Sequence, residues 1–169
     1  MYIHKKNKIL SSLKHFPGYG DTYDNSDDFI TEYKGTDIQL FENLRIFSSL
    51  LNYASFVMMA NLKYPSLDTL PAPMSKSIVS FIKSQDSTVI VLTDDIACNG
   101  YDNPYLALKR SFGAGCDMFI VMNDTLYSLL TDSMVSWVYR GEINEKDIKK
   151  RLVKILLKKE YLYQLLKRM

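Results

Sequence analysis

A chain of 169 residues, 47% hydrophobic and 24% charged, is long enough for one sizeable core. It is too short for a complete (β/α)8 barrel, which takes at least about 200 residues. A net charge of +2 gives no basic footprint for nucleic acid, and no nucleic-acid motif is present.

The basic amino terminus leads into an apolar run that is interrupted by Ser11, Ser12 and Lys14. That run is too short for a signal peptide or a membrane span, so the expected location is the cytoplasm. Residues 8–13 read as a strand, with Lys14 and His15 where the strand gives way to a loop. Pro17, Gly18 and Gly20 then exclude a helix and allow positive φ, and a cluster of carboxylates follows through Asp28. In a parallel α/β protein such a loop covers the ligand edge of the sheet. Phosphate binding through Gly18-Tyr19-Gly20 is disfavoured, because neither a GxGxxG nor a P-loop follows and no helix starts there.

Residues 37–52 carry Ile38, Leu40, Phe41, Leu44, Ile46, Phe47, Leu50 and Leu51 at helical spacing, with Thr36 or Asp37 as the cap. Residues 55–59 are a short strand of the buried parallel kind, ending at Asn61. Pro65, Pro71 and Pro73 mark 64–73 as an irregular loop. Residues 75–84 form a helix capped by Ser75, with Ile78, Val79, Phe81 and Ile82 toward the sheet. Residues 88–92 are the most strand-like stretch and stop at Thr93-Asp94-Asp95. A helix over 105–112 ends at Gly113 and Gly115, a strand follows over 118–122, and helices over 126–140 and 145–167 close the chain around Gly141.

Repeated strand and helix predict an α/β fold, four parallel strands with right-handed crossovers. Cys98 and Cys116 lack metal-ligand spacing and read as buried, reduced thiols. The run 148–169 combines Leu152, Ile155, Leu156 and Leu162 with eight basic residues. It suits a closing helix with a solvated basic face, the alternative being a helix lying on an anionic membrane.

Lys14-His15-Phe16-Pro17-Gly18-x-Gly20-Asp21-Thr22 resembles the loop signature of family-3 glycoside hydrolases. It looks in particular like that of the bacterial β-N-acetylglucosaminidases (β-N-acetylhexosaminidases) that act on peptidoglycan fragments. Three further stretches fall in the family's order: residues 58–65, residues 91–95, and Ala114-Gly115-Cys116-Asp117-Met118. The likeness runs from about residue 5 to about residue 162 and covers only the second half of the family's TIM-type barrel. It implies a half barrel that is truncated relative to the family and weak or inactive alone. Two sheet edges would then be open, and self-association or a companion half barrel would close them.

The resemblance puts Asp94 at the nucleophile position and makes Lys14 and His15 sugar contacts. Asn61, where the family has a histidine, is a third candidate contact, and Tyr19 replaces a second histidine. The family's acid/base histidine lies in Asp-Ser-His, and the corresponding residues here are Asn25, Ser26 and Asp27. Asp27 therefore stands at the acid/base position and serves there only if burial raises its pKa. The implied substrate is an amino-sugar glycoside or peptidoglycan fragment. The implied chemistry needs no cofactor, since carboxylates do the work. The rival reading is a non-catalytic sugar-binding or assembly protein derived from the same fold.

Overall fold

The computed structural model describes His4, Asn7, residues 9–23 and residues 28–167, with the backbone alone for 161–167. Its framework is a four-stranded parallel sheet of β1 (Ser12–Phe16), β2 (Phe56–Met59), β5 (Ile90–Asp95) and β6 (Met118–Ile120), side by side in that order. The helices are α1 (Asp37–Leu50), α2 (Lys76–Gln85), α3 (Pro104–Ala114), α4 (Asp124–Tyr139) and α5 (Glu145–Lys167). The expected α/β order of strand and helix is therefore present.

Parallel partners across a ladder share a face. Leu13, Val57 and Val91 are paired in register and join Ile78, Val79 and Ile82 of α2 and Leu40 of α1 in the main core. The other face carries Phe56 beside Ile90, then Met58, Leu92 and Met118 in the next row. Apart from Ile90, these side chains are only partly covered. A second core, built from Leu108, Phe112, Leu130 and Trp137, joins α3 to α4.

Several boundaries differ from the sequence reading. The first strand is Ser12–Phe16 rather than 8–13, so Lys14 and His15 belong to the strand. β5 starts later and runs through Asp95, because pairing with β6 carries the ladder past the apolar run and Thr93 is held in it by accepting the Ile120 N–H at 3.2 Å. The proline-rich loop contains a two-stranded antiparallel hairpin, β3 (Lys63–Tyr64) with β4 (Asp68–Pro71). An edge position tolerates Pro71, which has no N–H to leave unpaired.

Ser75 caps α2 by accepting the Ile78 N–H, as expected, while Phe81 is turned partly to solvent. Thr36 rather than Asp37 caps α1, in a capping box with Gln39. The apolar stripe expected on α1 is only half used, since Ile38 and Phe41 are 74% and 68% exposed. α3 continues through Gly113 and ends at Gly115, whose φ of 115° suits only glycine.

α5 departs furthest from expectation. Beside Ile148, which packs on the second core, cations dock it: Arg151 donates to the carbonyls of Cys116 and Phe112, and Lys154 pairs with Asp117 at 3.0 Å. Leu152 and Leu156, expected on its apolar face, are half exposed. Asp117 also pairs with Lys83 of α2 at 2.8 Å and accepts the Val91 N–H at 3.0 Å. One carboxylate, with a side chain 2% exposed, thus ties α2, α5 and the β5 ladder together. Removing it strands two half-buried ammonium groups and a buried N–H. Asp117→Ala is expected to lower the unfolding free energy by about 3 kcal/mol or more, read as a shift in the urea midpoint.

Candidate active site

Leu13 and Phe16 both face the helix-side core, although strict alternation would put residues three apart on opposite faces. The ladder resolves this with an irregularity: Leu13 pairs with Val57 and Phe16 with Met59, so three steps on β1 match two on β2. The extra residue falls at Lys14 and His15. β5 does the same at its carboxyl end, where Leu92 pairs with Met118 but Asp95 with Ile120. Here the extra residue falls at Thr93 and Asp94. Bulges re-aim side chains, and these two bring together residues that belong to non-adjacent strands.

β2 lies between β1 and β5 and stops at Met59, with the Ala60 N–H donated to the Phe16 carbonyl at 2.8 Å. Over its end His15 Nε2 comes within 3.4 Å of Asp94 Oδ2. Both side chains are about three-quarters covered, at 28% and 22% exposure. Asp94 Oδ1 accepts the Asp95 N–H at 2.9 Å, so one oxygen of the carboxylate is fixed from below and the other faces the imidazole. Lys14 is exposed at the same bulge. Lys14, His15 and Asp94 thus stand at the two bulges, on the carboxyl-terminal side of the sheet.

Asp95 orients the neighbouring loops: its Oδ1 accepts the N–H groups of Ala97 and Met122 at 2.9 and 3.0 Å. Asn61 does not reach the surface. It is fully buried, donating to the Asp95 carbonyl at 3.0 Å and to Cys98 Sγ at 3.6 Å, and accepting from the Tyr101 hydroxyl at 2.8 Å. Both ends of its amide are engaged by protein, which makes it a brace under the Asp95 backbone rather than a surface contact. Asp27, with Asn25 and Ser26, lies outside the described residues.

Two tyrosines that sequence reasoning did not single out hold this edge. The Tyr64 hydroxyl donates to the Gly18 carbonyl at 2.7 Å, fastening the glycine loop to β3, and its ring stacks on Tyr33 at 5.3 Å. Gly18 has φ of 123°, and a Cβ there would stand 2.6 Å from Asn43 Nδ2. Tyr19 meets the His15 ring edge-on at 5.3 Å. Burial raises the Tyr64 hydroxyl above its ordinary value, and burial does the same to Tyr101, so both remain donors. The signal for Tyr64 and Tyr101 was present as aromatic residues flanked by turn residues, but nothing local distinguished a donor from packing.

Cys98 and Cys116 are buried and neither is in a disulfide; burial pushes the Cys116 thiol up to about 12. Among the described residues no three His, Cys, Asp or Glu side chains are grouped to hold a metal ion. No helix among them is long and apolar enough to cross a membrane. A cavity of about 700 Å3, lined by residues including Ile9, Tyr53, Thr88, Val153 and Leu157, opens at the amino-terminal end of the strands, away from His15 and Asp94.

Replacing the hydroxyl that satisfies Asn61 tests the brace. Tyr101→Phe is expected to cost about 1–3 kcal/mol, by leaving a buried carbonyl oxygen unpaired, and urea unfolding reads it directly.

Compared with known proteins, residues 3–157 match the Glycosyl hydrolase family 3 N terminal domain. The chain is similar to a beta-hexosaminidase of Hydrogenovibrio crunogenus, 29% identical over 143 residues that cover 76% of this chain and 38% of that protein. A beta-hexosaminidase of Idiomarina loihiensis is 31% identical over 117 residues, which cover 66% of this chain and 36% of that protein. Among solved structures, zinc-bound CbsA from Thermotoga neapolitana superposes with a TM-score of 0.77 at 25% identity, over 93% of this chain and 37% of that one. The beta-N-acetylglucosaminidase from Thermotoga maritima shares the fold, with a TM-score of 0.76 at 19% identity over 92% and 35% of the two chains. The chain therefore spans 36–38% of the length of these two curated relatives.

Proposed function

This chain belongs to glycosyl hydrolase family 3, and from that premise we propose that it carries the nucleophile side of a retaining β-N-acetylhexosaminidase site. Its substrates on this reading are amino-sugar glycosides, peptidoglycan fragments among them. The observation that supports the reading is the Asp94 carboxylate, held at a strand end with one oxygen on a backbone N–H and the other 3.4 Å from His15.

A displacement at an anomeric carbon needs an ionised carboxylate held rigidly and partly shielded from water. In the proposed first step an Asp94 oxygen bonds to the anomeric carbon as the bond to the leaving oxygen breaks. In the second, water bonds to the anomeric carbon, loses a proton to the medium, and Asp94 departs with its electron pair. His15 and Lys14 offer N–H donors to the sugar hydroxyls, and His15 also keeps the carboxylate aimed. Asn25, Ser26 and Asp27 stand where the resemblance has its acid/base group. Without an imidazole there, both the protonation of a poor leaving group and the activation of water are slow, by about 10²- to 10⁴-fold. The chain alone is on this reading a weak hydrolase, truncated relative to its family.

An aryl β-N-acetylglucosaminide whose leaving group needs no proton isolates the first step. The purified chain is expected to release a burst of one leaving group per site, followed by slow turnover, and Asp94→Ala is expected to abolish the burst. A burst that survives the substitution, or sugar binding with no burst at all, would overturn the assignment of Asp94.

A further inference from the structure

We propose that Asn61 is a positioning residue for Asp94: its buried amide takes over where the β2–β5 ladder stops and sets where the carboxylate of the nucleophile stands. The proposal rests on the functional reading above and adds to it a residue that lies too deep to touch a sugar. Asn61 makes and breaks no bond to substrate and acts through the backbone of Asp95.

The place of Asn61 in the sheet is the first support. β2 and β5 pair in register from Phe56 with Ile90 to Met58 with Leu92, so the ladder between them ends two residues short of Asp94. Beyond it the Asn61 side chain makes the connection, Nδ2 donating to the Asp95 carbonyl at 3.0 Å. Its neighbour Ala60 donates its N–H to the Phe16 carbonyl of β1 at 2.8 Å. Two consecutive residues after β2 therefore tie the end of β1 to the end of β5. His15 and Asp94 stand on the bulges just before the two ends of that tie.

The second support is what Asp95 carries. Its N–H holds Asp94 Oδ1 at 2.9 Å. On the β6 side Asp95 is paired with Ile120, and its own carboxylate accepts the N–H groups of Ala97 and Met122. On the β2 side the Asn61 amide holds it. A carbonyl deprived of that donor is free to turn, and the N–H of the same residue, with the carboxylate fastened to it, turns as well.

The third is that the amide is aimed. An asparagine amide has nearly the same shape after a flip, but a flipped oxygen would face the Asp95 carbonyl. The Tyr101 hydroxyl donates to Oδ1 at 2.8 Å and Cys98 Sγ lies 3.6 Å from Nδ2, so donors and acceptors around the amide match one orientation. Asn61, Cys98 and Tyr101 are all buried, which keeps water from replacing any of them.

Two variants that each bury one unpaired oxygen separate positioning from stability. Tyr101→Phe strands the Asn61 oxygen but keeps the donor to Asp95, whereas Asn61→Leu/Tyr101→Phe removes the amide and strands the Asp95 carbonyl. With the activated aryl β-N-acetylglucosaminide, the double variant is expected to slow the burst by about 10-fold or more, since misplacing a reacting group by about 1 Å costs up to about 100-fold. Tyr101→Phe is expected to slow it by less than about 3-fold, and the half-saturating sugar concentration is expected to stay within about 3-fold in both. Equal slowing in the two variants, or none in the double variant, would overturn the proposal.

A second readout needs no chemistry. The chain has two histidines, His4 and His15, so labelled imidazole carbons give two resonances by NMR. Asp94→Asn is expected to move the His15 resonance, and the double variant is expected to move it the same way while Tyr101→Phe leaves it near the wild-type position. A His15 resonance that neither Asp94→Asn nor the double variant moves would also overturn the proposal. A wild type with no Asp94-dependent burst removes the hydrolase reading, and the His15 resonance then still decides whether Asn61 places the carboxylate. An undiminished burst in the double variant removes the positioning role and leaves the hydrolase reading standing.

Discussion

The site depends on a conflict between two rules of strand geometry. Side chains must alternate across a sheet, yet Leu13 and Phe16, three residues apart, both bury in the same core. The ladder absorbs the conflict by slipping one residue, and the slipped pair is Lys14 and His15. The same slip on β5 falls at Thr93 and Asp94. Core packing on one face of the sheet thereby decides what stands at its carboxyl edge. The hydrophobic burial of Phe16 is what turns His15 toward Asp94.

Around that edge the structure is held by groups that have no part in chemistry. Tyr64 fastens the glycine loop through the Gly18 carbonyl, and Asn61 with Tyr101 supports the backbone of Asp95. Asp117 does comparable work at the other end, where a buried carboxylate shared by Lys83, Lys154 and the Val91 N–H anchors α5. Docked largely through cations, this helix leaves Leu152, Leu156 and Leu157 at least half exposed while Ile148 packs on the second core. The electrostatic anchor outweighs the apolar stripe because Asp117 would otherwise be a buried charge without partners.

Membership of glycosyl hydrolase family 3 places this chain against proteins about twice its length. Its described residues form one coherent arc of a barrel, with the proposed nucleophile and sugar-binding donors on the ends of two strands that flank β2. The proposed function follows from that arc, where a carboxylate held at a strand end is already present.

The sequence by itself determined the order of the four sheet strands and the five helices, the parallel sheet, the caps at Ser75 and Gly115, and the position of Lys14, His15 and Asp94 near strand ends. These follow from local periodicity, turn residues and motif spacing, which need only near neighbours in the chain. Tertiary structure alone decided where β1 and β5 end, because a ladder extends as far as its partner strand allows. It also sent Asn61 inward: an asparagine at a strand end reads the same whether it faces a ligand or a buried tyrosine 40 residues away. The part of Asp117 was equally hidden, since its partners lie 34 and 37 residues distant and only folding brings two lysines and a backbone N–H onto one carboxylate.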